Sequence, residues 1–126
     1  MHDIIVIGGG PAGLTAALYA LRAGKSVLVI EKSTFGGQIT WSPKVENFPG
    51  IPSVSGAELG DKFTAQTLDQ GAELELDEVA SVELAGDIKR VKTDFGGTFE
   101  AKALIIASGA RPRTLGIPGE EELMGA

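Results

Sequence analysis

The 126-residue sequence predicts an α/β fold, a parallel sheet with helices plus a small antiparallel β-meander. Three observations predict it. An apolar run, Ile4-Ile5-Val6-Ile7, leads straight into Gly8-Gly9-Gly10-Pro11-Ala12-Gly13 and then into residues with helical spacing. A second run, Val27-Leu28-Val29-Ile30, follows that helix and ends in an acid, Glu31. A third, Ala103-Leu104-Ile105-Ile106-Ala107, is apolar throughout, as a central parallel strand buried on both faces should be.

Taken in order, residues 3 to 7 read as a buried strand and residues 12 to 23 as a helix with Leu14, Ala17, Leu18 and Leu21 on one face. Gly24 stops that helix, because a residue just past a helix end turns left-handed most cheaply when it has no Cβ. A strand over 26 to 31 completes a strand, helix, strand unit with a right-handed crossover. Residues 33 to 55 are rich in glycine, proline, serine and asparagine, too long for an idle connection, and are expected to touch a ligand. Helical spacing returns over 56 to 70, with Leu59, Phe63, Ala65 and Leu68 available for burial and Gly71 as the stop. Glu73 to Leu76 reads as a short parallel strand. Residues 79 to 101 alternate through Val79, Val82, Leu84, Ile88, Val91, Thr93 and Phe99, with turns at Gly86-Asp87 and Gly96-Gly97, the pattern of a meander. The last apolar strand, 103 to 107, ends in Ser108-Gly109-Ala110-Arg111-Pro112.

Composition narrows the function classes. A hydrophobic content of 43% with 22% charged residues is that of a soluble globular domain. No apolar run reaches the roughly 18 residues of a membrane span, and the first strand starts too near Met1 for a signal peptide, so a cytoplasmic protein is expected. A net charge of −6, with no basic cluster longer than Arg111-Pro112-Arg113, argues against nucleic acid as a partner. Zero cysteines and one histidine, His2, remove thiolate catalysis, disulfides and an imidazole metal cluster. The acids Glu58, Asp61, Asp69, Glu73, Glu75, Asp77 and Glu78 lack the spacing of a cation loop and read as solvated faces. Any redox chemistry must come from a bound cofactor.

The glycine run supplies the means to bind one. Gly8 permits a tight turn, Gly10 lets backbone approach a pyrophosphate, and Gly13 lets the helix pack close to the strand. Unpaired N–H groups and the positive end of the helix dipole then face the phosphates, each such charge interaction contributing about 0.3–1 kcal/mol. Glu31, eighteen positions beyond Gly13, can accept ribose hydroxyls. Bonds to a charged group are worth about 1.5–3 kcal/mol. A glycine fingerprint alone is a weak signal, but the flanking strand, helix and acid make it a Rossmann-like dinucleotide site. NAD and FAD both satisfy it.

Two further segments separate them. Ala107-Ser108-Gly109-Ala110-Arg111-Pro112 resembles the Ala-Thr-Gly segment of two-dinucleotide flavoprotein disulfide reductases, Ser108 keeping the hydroxyl of the usual Thr. The loop Phe35-Gly36-Gly37-Gln38-Ile39-Thr40-Trp41, followed by Val45-Glu46-Asn47-Phe48-Pro49-Gly50, resembles the amino-terminal FAD segment of low-molecular-weight thioredoxin reductases. The resemblance implies an FAD site that joins Gly8, Gly10, Pro11, Ala12, Gly13, Glu31 and Lys32 to Gly37 and Gln38 near the isoalloxazine. It also implies Asn47 near the ring or ribityl chain, the Val79 backbone at the adenine, and Ala107, Ser108 and Gly109 beside the pyrophosphate and ribityl. Plain turn chemistry is the competing account of Gln38 and Asn47. Trp41 either covers the flavin edge or packs the loop. Arg111 and Arg113 read as solvated cations rather than phosphate partners.

The resemblance runs through Leu115-Gly116-Ile117-Pro118-Gly119-Glu120-Glu121. It implies that residues 1–126 are the amino-terminal segment of an FAD-binding domain incomplete for the family, ending at a hinge. The NADPH domain, with a second fingerprint and a Cys-x-x-Cys pair, and the carboxyl-terminal FAD segment would lie outside it. The parent enzyme would pass electrons from NADPH through FAD to a disulfide and on to a small disulfide protein such as thioredoxin. It would act as a homodimer, and the segment alone would be inactive, pairing with the remaining segments of the parent. Two alternatives stay open: a cysteine-free relative such as a thioredoxin reductase-like ferredoxin or flavodoxin NADP reductase, and a non-catalytic FAD-binding module. No residue is identified as catalytic, and none as a metal ligand.

Overall fold

The computed structural model describes residues 1–109, so the expectations for Arg111, Arg113 and the 115–121 segment lie outside the described residues. The elements are β1 (His2–Ile7), α1 (Pro11–Arg22), β2 (Val27–Glu31), a 3-10 helix (Gly37–Trp41), α2 (Gly56–Asp69), β3 (Glu73–Leu76), β4 (Val79–Ala85), β5 (Ile88–Thr93) and β6 (Thr98–Ile106). They form a six-stranded sheet in the order β3-β2-β1-β6-β5-β4. β3, β2, β1 and β6 run parallel, while β5 and β4 continue the sheet antiparallel from β6.

Alternation along β1 builds the core on both faces. Ile5 joins Leu28, Ile30, Val91 and Ala101 on one side, and Val6 joins Leu14, Ala17, Val27 and Val29 on the other. α1 covers the second side; it opens with Pro11 at its first position, where a missing N–H costs nothing. It closes as expected at Gly24 (φ +82°), where Gly24 N–H donates to Leu21 O and Lys25 N–H to Ala20 O, a Schellman stop. Every residue of β2 is buried, which fits a strand with a neighbour on each edge and a layer on each face. Truncating a core side chain such as Leu14 to Ala would cost about 2–5 kcal/mol.

The structure corrects the sequence reading in three places. The third meander strand and the last parallel strand are one element, β6. Nothing between Ala101 and Lys102 breaks the chain, so Thr98–Ala101 pairs with β5 while Ala101–Ile106 pairs with β1. Among the described residues β6 is also not buried on both faces, for Ile106 is 73% exposed. On α2 the buried face is Gly56, Leu59, Gly60 and Thr67 with Phe63 half-buried, whereas Ala65 is exposed and Leu68 is 48% exposed. Steps of 100° per residue explain the difference: Leu59, Phe63 and Thr67 share a stripe, and Leu68 falls opposite Leu59. Thr67 satisfies its buried hydroxyl by donating to Phe63 O at 2.8 Å.

The long 33–55 segment carries structure of its own. Its 3-10 helix is followed by a turned-back stretch in which Val45 and Val54 exchange hydrogen bonds at 2.6 and 3.1 Å. Val45, Val54, Ile39 and Ile51 pack on Leu59 and Phe63 of α2. The segment is thereby seated on α2.

Candidate functional site

Three strand ends converge on Gly8. Its φ of +112° belongs to the left-handed region, its N–H donates to Ile30 O at 2.8 Å, and a Cβ there would collide with the Ala107 carbonyl. Ala107 N–H in turn donates to Ile7 O at 2.8 Å, tying the end of β6 to β1. A Cβ on Gly13 would collide with the Gly8 carbonyl, so α1 sits directly on the turn. Gly10 differs from both. A Cβ there would meet only Gly37 Cα, at 3.7 Å, leaving the Gly10 face open.

The opening turn of α1 is arranged to receive an anion. Its own hydrogen bonds begin with Leu14 N–H donating to Gly10 O at 2.9 Å. The Ala12 and Gly13 N–H groups therefore have no acceptor within their helix, and the dipole's positive end points the same way. No side chain caps this terminus. Beside it, Glu31 is 8% exposed: Oε1 accepts from Gly9 N–H at 2.8 Å, and Oε2 accepts from Ser33 N–H at 2.8 Å and Ser33 Oγ at 3.2 Å. A carboxylate offers about four lone-pair sites, so one remains for a hydroxyl.

The 3-10 helix forms the facing wall. Gly36 N–H donates to Gly9 O at 2.7 Å, and a Cβ on Gly37 would lie 2.9 Å from Gly10 Cα. Thr40 Oγ1 donates to Gly37 O at 2.7 Å and braces the turn. α2 supports it from behind, since a Cβ on Gly56 would collide with Ile39 O and one on Gly60 would lie 2.9 Å from Thr40 Cγ2.

These pieces enclose a cleft of about 720 Å³ over the carboxyl ends of the parallel strands, where β1 has β2 on one side and β6 on the other. A crevice at such a switch point is where open α/β sheets hold ligands. It brings together Gly10, Pro11 and Ala12 from the α1 start, Glu31 and Lys32 from the end of β2, Gly37 and Gln38 from the 3-10 helix, and Ala107, Ser108 and Gly109 after β6. Ser33, Ile39 and Trp41, absent from the implied FAD set, complete the lining. An adjoining cleft of about 170 Å³ shares Glu31, Lys32 and Ser108 and adds Gly8, Asp77, Glu78 and Val79. Gly13 lies buried behind the turn. Asn47 is exposed and lines neither cleft.

Asp77 at the second cleft is a buried acid held in its charged form. Burial works to raise its pKa but is outweighed by the Thr93 hydroxyl and the Glu78 and Phe95 amides, so the carboxyl lies below its ordinary 3.8. The two amides donate to Oδ1 at 2.8 and 3.3 Å.

Gly56 and Gly60 were not singled out from the sequence. Their signal was available: glycines four apart on one helix share a face and permit close backbone approach.

The family model for pyridine nucleotide-disulphide oxidoreductases matches residues 2–126. The chain is 50% identical over 126 residues to the bifunctional thioredoxin reductase/thioredoxin of Mycobacterium leprae, matching 99% of this chain and 28% of that protein. It is 45% identical to the thioredoxin reductase of Mycolicibacterium smegmatis, over 99% of this chain and 40% of that one. Among solved structures it is similar to Lactococcus lactis thioredoxin reductase, with a TM-score of 0.88 and 39% identity over 97% of this chain and 40% of that chain. The Streptococcus pyogenes thioredoxin reductase gives a TM-score of 0.85 and 45% identity, over 96% and 39%. The chain thus spans 28% to 40% of the length of these relatives.

Proposed function

Because the chain belongs to the pyridine nucleotide-disulphide oxidoreductase family, we propose that residues 1–126 are the FAD-binding amino-terminal segment of a thioredoxin reductase-like flavoprotein. The observation that carries this reading is that one cleft brings together the glycine turn, Glu31, Gly37-Gln38 and Ala107–Gly109. Its lining suits a dinucleotide. The Ala12 amide and the α1 dipole face a diphosphate, the remaining acceptor site of Glu31 meets a ribose hydroxyl, and Lys32 offers a cation beside it. Gly10 leaves the room that phosphate needs, and Gly8 and Gly13 hold the turn in which it is presented.

Bound FAD supplies the two-electron chemistry. The segment's own share is to bind and orient it, since the sequence has no cysteine and its one histidine, His2, stands at the far end of β1. In the whole protein, electrons would enter from NADPH and leave to a disulfide and then to a small disulfide protein such as thioredoxin, through parts outside this segment. The parent acts as a cytoplasmic homodimer, and the segment alone is inactive. Among the described residues no helix is long and apolar enough to cross a membrane.

The purified protein tests the cofactor directly. Twin flavin bands in its visible spectrum, regained on adding FAD after stripping, are expected; a colourless protein that binds NAD more tightly than FAD would overturn the reading. Assay of the complete gene product with NADPH and thioredoxin tests the reaction.

A further inference from the structure

We propose that Trp41 is a cofactor-contact residue whose indole lies against the flavin half of the bound dinucleotide; this rests on the FAD reading above. The sequence left two roles for it, flavin cover or loop packing. Packing of the loop is accomplished without it. The cluster that seats the loop on α2 consists of Val45, Val54, Leu59, Ile39, Ile51 and Phe63, and Phe48 stacks at a tilt on Phe63 with centroids 5.6 Å apart. Trp41 is 73% exposed, yet it lines the main cleft.

Its backbone is held on both sides. Thr40 before it is tied to Gly37 O at 2.7 Å, and Ser42 after it donates to Ile39 O at 3.1 Å and accepts Gly56 N–H at 2.8 Å. The indole is therefore a large apolar group presented to the cleft from a fixed turn, with its burial still to be gained. The rest of the lining indicates what covers it. Glu31 and Ser33 provide the hydroxyl-binding end, and Gly10, Pro11 and Ala12 the anion site, leaving Gln38, Ile39 and Trp41 with Ala107–Gly109 for the remaining half of the molecule. That half carries a flat heteroaromatic ring, and an indole face is a stacking platform for such a ring.

The test uses the complete gene product stripped of FAD. Trp41→Leu should weaken FAD binding about tenfold, equivalent to about 1.4 kcal/mol, and Trp41→Phe should keep most of the affinity. ADP has no flavin ring, so its inhibition constant as a competitor for the FAD site should not change. The emission of bound flavin should rise in Trp41→Leu, because an indole in contact quenches it. Unchanged FAD affinity and flavin emission in Trp41→Leu would overturn the proposal. Equal weakening of FAD and ADP would also overturn it, by reducing Trp41 to a scaffold residue. Failure of the unsubstituted protein to bind FAD at all would instead remove the underlying reading and the proposal together.

Discussion

The Glu31 carboxylate accepts the Gly9 amide at 2.8 Å, so the acid that ends β2 holds the glycine turn that follows β1. Its other oxygen accepts from Ser33. Glu31→Gln forces an NH₂ group against one of these N–H donors, whichever way the amide is turned. Losing a bond to a buried charged group costs about 1.5–3 kcal/mol. Urea unfolding without cofactor should show a loss of that size, before any effect on FAD affinity is counted. Identical cofactor-free midpoints for Glu31→Gln and parent would reduce Glu31 to a ligand contact alone.

Gly10 and Gly13 belong to one motif but should fail differently when given a side chain. At Gly10 the backbone is extended (φ −81°, ψ −171°) and a Cβ has room, so Gly10→Ala should fold with a loss within about 1 kcal/mol, the cost of a poorer helix cap. Its methyl would occupy part of the cleft that Gly10 lines, where the proposed reading seats the diphosphate, and FAD affinity should fall tenfold or more. In Gly13→Ala the methyl strikes the Gly8 carbonyl. Overpacking against rigid backbone costs about 1–3 kcal/mol or more, so here the melting temperature should drop along with the affinity. Melting curves and FAD titrations on both variants check the separation.

The contrast shows what the sequence made legible. The tight strand, turn, helix unit built on Gly8, Gly10 and Gly13, with Glu31 at the end of the next strand, was readable because such a unit needs those residue types at fixed spacing. That β1, β2, β3 and the last strand run parallel followed from the same logic, whereas their order across the sheet did not. What stayed illegible depended on partners distant in the chain. Whether Ala101 ends one strand or continues into another is decided by β1 and β5 on either side of it, not by its neighbours in sequence. The buried face of α2 was misjudged because Leu68 outranks Thr67 in hydrophobicity, while helix geometry and a hydroxyl bonded to Phe63 O favour Thr67. The second bond of Glu31, to Gly9, has no local signature at all.

Asp77 gives the fold a pH dependence at the acid end. Its pKa is lower in the folded chain than the ordinary 3.8, so the native state binds the proton less readily than the unfolded one. Its contribution is present in full above the unfolded value and is lost as pH falls through the lower folded value. Urea midpoints measured between about pH 2 and 6 should therefore decline more steeply toward acid for the parent than for Asp77→Asn. The gap between the two proteins should be widest at the upper end of that range. Parallel curves would show that the Thr93 hydroxyl and the Glu78 and Phe95 amides together do not favour the charged form.

The support of the cleft from behind yields the last prediction. A Cβ on Gly60 would lie 2.9 Å from Thr40 Cγ2 and 3.2 Å from Gly36 Cα. The methyl of Gly60→Ala must therefore push the 3-10 turn toward Gly10, or push α2 away from it. Helix propensity works the other way, since Ala is better than Gly inside a helix by about 0.8–1 kcal/mol. Net stability should then change little, or fall by about 1–2 kcal/mol if the turn resists. FAD affinity should fall several-fold, because Gly37 and Gln38 ride on that turn while Gly60 itself lies outside the cleft lining. At Gly56 the collision is with the Ile39 and Ser42 carbonyls, which cannot rotate aside as a methyl can, so Gly56→Ala should be the more destabilising of the pair. Thermal melts and FAD titrations of both variants would test this. An unaltered FAD affinity in a folded Gly60→Ala protein would mean that α2 merely packs beside the turn and does not set its position.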